Sequence, residues 1–125
     1  MREYLFRGKR VDNGEWVYGY YVKGATRHCV LKSLAQSHIY DVIPESVGQY
    51  IGFKDKNGNK IFEGDVVEFL DIDKFKWKGV VVYQKECSLY IVKANSGWEF
   101  AFYDIFEERV EVIGNIIDNK ELLGE

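Results

Sequence analysis

The chain has 125 residues, 16% of them aromatic, and a formal net charge of −3, a length that suits one domain, or two very small ones, with a sizeable core. A single proline and a well-mixed alphabet exclude a long disordered arm, no stretch reaches membrane-spanning length, and the acidic balance excludes a basic protein that binds polyanions indiscriminately. Charge is uneven, with ten Lys and Arg against six Asp and Glu over residues 1–60 and seven against fourteen over 61–125, which permits a basic face or a head-to-tail contact between subunits.

Nine Tyr, eight Phe and three Trp, with many Val and Ile, favour strands, so the expected class is all-β and mostly antiparallel. Met1-Arg-Glu-Tyr-Leu-Phe-Arg7 carries charge from its second residue and lacks an apolar signal core, which predicts a cytoplasmic protein. Tyr4 to Arg10 starts as a strand, Val11 to Gly14 turns, and Glu15 to Lys23 returns; Asn13-Gly14 between β-rich runs is a strong hairpin signal. In the returning run Trp16, Tyr18 and Tyr20 share one face and Val17, Gly19 and Tyr21 the other. Residues 24–28 read as a loop, Cys29 to Leu31 as a short strand and residues 32–37 as a polar connection. Ile39 to Ile43 leads into Pro44, where the missing amide ends a strand or starts a turn.

The seam between an N-terminal unit (1–45) and a C-terminal unit (46–125) falls near Pro44. Beyond it, Val47 to Phe53 and Ile61-Phe62 flank a polar turn centred on Asn57-Gly58, another hairpin signal. Glu63-Gly64-Asp65 reverses the chain and Val66 to Leu70 begins a new strand. Residues 71–78 suit a charge-balanced hairpin tip, Gly79 opens a strand to Tyr83, and Leu89 to Lys93 and Trp98 to Phe102 follow around the Ala94 to Gly97 turn. This spacing is that of a small barrel or sandwich. Tyr103 to Glu108 breaks the alternation as one helical turn, Arg109 to Ile117 closes the sheet, and Asp118 before Glu121 has capping-box spacing for a turn over Asn119 to Leu123 with Leu122 and Leu123 docked.

Phe6-Arg-Gly-Lys9, Asn13-Gly-Glu-Trp-Val-Tyr-Gly-Tyr20, the block from Val47 to Val67 and Glu111-Val-Ile-Gly-Asn-Ile116 resemble the YopX family of phage and prophage proteins. The similarity runs almost end to end, although Lys120 stands where that family commonly has proline. The resemblance implies a phage- or prophage-encoded protein with an SH3-like barrel in its C-terminal part and a tendency to self-associate as a homo-oligomer. It carries no catalytic residues over. The predicted architecture is therefore an N-terminal β-hairpin unit, a small SH3-like barrel and a short C-terminal helical turn. Gly-Asp opening a β-branched strand and Gly79 opening Val80-Val-Val82 fit such a barrel, where glycines relieve crowding at bent strands. The fold names no ligand.

No residue set points to catalysis, a metal or a cofactor. His28 and His38 sit in no nucleophile, zincin or phosphate-loop motif. Asp65, Glu68, Asp71 and Asp73 match no calcium-loop spacing, which leaves a metal-dependent hydrolase or nuclease as a remote alternative. Asn13, Gly14, Asn57, Gly58, Gly64 and Asp65 are explained by turn formation. Cys29 and Cys87 lack metal-ligand spacing and are expected to be reduced. The open group is Arg7, Lys9, Arg10, Trp16, Tyr18, Tyr20, Lys23 and Arg27, whose cations suit phosphates and whose rings suit base stacking. The same rings equally suit a core or a subunit interface, where Tyr, Trp and Arg are enriched. The expected function is a non-enzymatic interaction module acting through protein contacts, with a phage or host protein as a possible partner and no membrane; a nucleic-acid-binding N-terminal face is the alternative.

Overall fold

The computed structural model describes residues 5–31, 39–94, 96–102, 105 and 109–123, and the expected 103–108 turn falls largely outside them. The chain divides into two compact units, one ending at Tyr50 and one beginning at Ile51. The strand pairings of the described residues given by their register are antiparallel, and the class is all-β.

The first unit contains β1 (Phe6–Lys9), β2 (Trp16–Lys23), β3 (His28–Leu31), β4 (Ile39–Asp41) and the start of β5 (Gly48–Lys54). β1 and β2 form the hairpin that Asn13-Gly14 predicts. Arg10 N–H donates to Glu15 O at 2.8 Å, the Asn13 side chain accepts from Glu15 N–H at 3.0 Å, and Gly14 has φ +75°. The strand order β4-β3-β2-β1 closes on itself. Arg10 bridges Val42 through Ile43 N–H to Lys9 O (2.8 Å) and Val11 N–H to Asp41 O (3.0 Å), so the end of β4 is paired rather than left as an open edge.

Closure needs a close approach. A Cβ on Gly8 would lie 2.8–3.0 Å from the Val42 side chain, so glycine is what lets Val42 seat against β1. Val30 and Val42 are buried inside, with Cys29 beneath the outer surface; Phe6 packs against Tyr21, and Tyr21 Oη meets His28 Nδ1 at 2.5 Å.

β1 pairs with β5 at Phe6 and Arg7 and with the end of β4 beyond Lys9. Between these partners lies the 3₁₀ turn Pro44–Ser46, with proline at its start as φ and the absent amide favour. At this turn Lys9 N–H meets a side chain. It belongs to buried Ser46, whose Oγ accepts from Lys9 N–H at 2.8 Å and donates to Ile43 O at 2.5 Å.

In the second unit β5 continues beside β6 (Lys60–Phe62), and a five-stranded sheet runs in the order β10-β9-β8-β7-β11. Its strands are β7 (Asp65–Leu70), β8 (Lys76–Gln84), β9 (Leu89–Ala94), β10 (Glu99–Ala101) and β11 (Val110–Asn115). The last strand returns beside the first; the pairing establishes an antiparallel sheet, and the SH3-like closure expected from sequence goes beyond it. Ile61, Val67, Phe69, Val81, Val92 and Val110 form the core with Phe102 and Ile51. Gly79 lets β9 approach, because a Cβ there would sit 2.6 Å from Lys93 O.

One buried carboxylate ties the β5–β6 turn to β11. Asp55 Oδ1 accepts from Asn57 and Asn59 N–H at 2.9 and 2.8 Å, while Oδ2 accepts from Val112 N–H at 3.0 Å. The β11 ladder shifts register between Val112 and Gly114, a bulge that redirects pairing at this point. At the C-terminus the 3₁₀ turn Lys120–Leu123 is organised by Asn115 and Asn119. Asn115 Oδ1 accepts from Ile117 and Asp118 N–H, and Asn119 Oδ1 from Asn115 N–H. Leu122 docks on Gly114.

Replacing Ser46 with Ala removes the buried side-chain oxygen that accepts from the part-buried Lys9 N–H and is expected to lower unfolding free energy by about 1–3 kcal/mol, read by urea denaturation. Burial pushes the Asp55 carboxyl up, but its backbone and side-chain donors outweigh this and hold it below the ordinary carboxylate value. The unfolded chain therefore binds the proton more readily, so this contribution is complete above the ordinary Asp value of about 4 and fades as pH falls through the lowered folded value. Asp55→Asn should flatten the acid limb of the stability–pH curve; an unchanged limb would count against the assignment.

Candidate interaction face

Register places five of the eight candidate residues on the outer face of the first unit. Arg7 pairs with Tyr18 and Lys9 with Trp16, and directly opposed residues share a face, as do alternate residues along a strand. Arg7, Lys9, Trp16, Tyr18 and Tyr20 therefore lie together. The face continues across the sheet: Tyr20 opposes Leu31, which opposes Ile39, and Val22 opposes Cys29, which opposes Asp41. Tyr18, Tyr20, Val22 and Ile39 are exposed to 47, 47, 48 and 53%.

Arg7 differs from its neighbours in being buried, with its Cζ 4.8 Å from the centre of the Trp16 ring. A guanidinium against an indole face gains from the ring quadrupole and buries its stem. Arg7 thus supports the aromatic row from beneath rather than offering a cation at the surface.

The other three candidates are not part of this row. Arg10 stacks its Cζ 4.5 Å from the Tyr40 ring centre and binds Asp12 twice, Nε to Oδ1 at 3.0 Å and Nη2 to Oδ2 at 2.7 Å, with Glu15 at 3.8 Å. The hydrogen bonds that Arg10 donates to Asp12 raise Arg10 above its ordinary pKa and lower Asp12. Arg27 Nε donates to Asp41 Oδ1 at 2.9 Å, and the same oxygen accepts from the Cys29 thiol at 3.3 Å. These bonds, Arg27 first, hold Asp41 below the usual carboxylate range; burial and the bond to Asp41 push the Cys29 thiol up. Lys23 ends β2 on the opposite side, across from His28. Cys29 and Cys87 are both free thiols, the first buried and the second exposed.

Val22 and Ile39 extend the face beyond the residues that sequence reading selects. Alternation from Trp16 through Tyr18 and Tyr20 reaches Val22, whereas Ile39 joins through the β3–β4 register, for which no local signal exists.

The turn residues lie in turns, except for Asp65, which opens β7. Gly58 and Gly64 have φ +83° and +90°, Asn57 N–H is bound to Asp55, and buried Asp65 accepts from Phe62 N–H at 2.8 Å. Of the acidic residues weighed for a metal, Glu68 lies 4.0 Å from Lys76, and Asp71 accepts from the Trp77 indole at 2.8 Å and from Asp73 and Phe75 N–H. Among the described residues no group of three His, Cys, Asp or Glu is placed to hold a metal ion, and no helix is long and apolar enough to cross a membrane. Trp77 also packs against Phe100 (4.8 Å) and Trp98 (6.3 Å), whose ring is exposed.

The described elements define a small, two-unit all-β protein whose first unit carries an aromatic and aliphatic outer face. The family model for YopX protein matches residues 5–124, nearly the whole chain, and the chain belongs to that family. None of the curated proteins compared matches it.

Arg7→Ala should destabilise the protein by about 2 kcal/mol, the scale of a desolvated cation–aromatic contact, with a shift in Trp emission that a Trp16→Phe background abolishes. Equal stability of the variant and the parent would contradict the supporting role.

Proposed function

We propose that the protein is a non-enzymatic interaction module, phage- or prophage-encoded and working in the cytoplasm of a bacterial host, that self-associates through the outer face of its first unit. The single observation that carries this reading is the run of Tyr18, Tyr20, Val22 and Ile39, four large apolar side chains about half exposed on one sheet face. A contiguous patch of this kind marks an interaction surface, and Tyr side chains are suited to interface cores because they present large area at low conformational cost. The second copy is favoured as occupant by the uneven charge. Residues 1–50 carry seven cations and five anions and residues 51–125 ten and fifteen, so a contact between the first unit of one copy and the second unit of the next brings opposite net charge together.

The alternative partner is single-stranded nucleic acid. Its specific support is that Lys9, Tyr18 and Tyr20 share one face, since rings beside a cation form a stacking platform. Against it, Arg10 and Arg27 are bound to carboxylates and Arg7 lies under Trp16, so little of the basic group is left to track a backbone.

Tyr18→Ser with Tyr20→Ser removes both rings at exposed positions. The expected outcome in sedimentation equilibrium is at least a thirtyfold weaker self-association, corresponding to about 2 kcal/mol or more from interface anchors, with the thermal midpoint of the dissociated chain retained. A parent protein that is monomeric at all concentrations would reject the reading. Salt-sensitive binding to labelled single-stranded DNA or RNA by that monomer would replace it with the alternative.

A further inference from the structure

Where the β1–β2 turn meets the end of β4, a cavity of about 360 Å³ is lined by Arg10, Val11, Asp12, Ile39, Tyr40 and Asp41. Its chemistry is asymmetric. Val11 and Ile39 are exposed apolar walls, and the Arg10 guanidinium is taken up by Asp12 and by the Tyr40 ring. Asp41 has one oxygen committed and one open: Oδ1 accepts from both Arg27 and Cys29, while Oδ2 has no partner among the described residues. Arg10 and Arg27 here face Asp12, Glu15 and Asp41, an excess of one negative charge.

We propose that this cavity receives the side chain of a lysine presented by a partner protein, with the hydrocarbon stem on Val11 and Ile39 and the ammonium on Asp41 Oδ2. A lysine matches each feature. Its stem is apolar and its head is a compact cation whose donors need no bidentate acceptor, whereas a second guanidinium would find only one free oxygen. The local negative excess opposes phosphates and carboxylates. Arg27 holds Asp41 in place and ionised before any ligand arrives, which reduces the ordering cost of binding. The inference rests on the protein-interaction reading and names the chemistry of a further partner, which shares Ile39 with the face proposed for self-association and therefore competes with the second copy there.

The test uses Nα-acetyl-lysine methylamide titrated into the full chain, followed by backbone amide shifts of Val11, Ile39 and Tyr40, with the Nε-acetylated compound as control. Binding should saturate and weaken about tenfold on Nε-acetylation, the scale of one charge-assisted hydrogen bond. Asp41→Asn should weaken it similarly and Val11→Ala about threefold, the latter leaving the Arg27 bond intact. Equal binding of the acetylated compound, or no saturable shift of these amides, would overturn the proposal. Mass in solution is measured on the same samples. Lysine binding by a monomeric protein would overturn self-association and leave the cavity assignment standing.

Discussion

The first unit depends on the seating of Val42 against Gly8. Four short strands can escape an open edge only if the last returns to the first, and the return requires β4 to come within van der Waals distance of the β1 backbone. A side chain on residue 8 would hold it off. From that contact follow the Arg10–Val42 bridge, the placement of Pro44 directly after it, and the use of Ser46 to accept from the Lys9 amide at the 3₁₀ turn. It also fixes which side of β2 faces inward. Tyr21 packs with Phe6 and His28, and the opposite row, Trp16 to Val22, is turned out.

Much of this was legible in the sequence. Asn13-Gly14 and Asn57-Gly58 marked hairpins because few other residue pairs tolerate the backbone those turns need. Alternation divided Trp16, Tyr18 and Tyr20 from Val17, Gly19 and Tyr21, and residue chemistry gave the all-β class. What was not legible depends on pairing between distant segments. Ile39 joins the aromatic row only through β3, and the acceptors that occupy Arg10 and Arg27 lie in a neighbouring turn and across a strand. Counting cations in a sequence gives charge, but only geometry says how much of that charge is already neutralised. The C-terminal turn shows the same limit: the β11 ladder delivers Asn115 to the place where its side chain accepts from Ile117 and Asp118 N–H ahead of the turn, and the local spacing of Asp118 and Glu121 carries no sign of it.

The outer face combines rigid support with adaptable chemistry. Paired strands hold the backbone of Tyr18 and Tyr20, and the Arg7–Trp16 contact fills the space beside them, so the row is held in place from within the unit. At the end of the same unit, Arg27 and Cys29 both converge on one oxygen of Asp41. Such over-provision at one atom of an otherwise exposed carboxylate positions the other atom without any contribution from a ligand.

The bond between Asp55 and Val112 spans 57 residues of sequence, and this has a consequence for the order of assembly. The loop Asp55 to Asn59 can form locally, in microseconds, with one carboxylate oxygen already engaged. The other oxygen waits for a strand at the far end of the chain, and the entropy of closing so long a segment delays its arrival. During synthesis the residues of the hairpin therefore emerge before their last partner, and the acceptor that pins the register of the final strand lies in a turn whose other carboxylate oxygen has its donors close by in sequence.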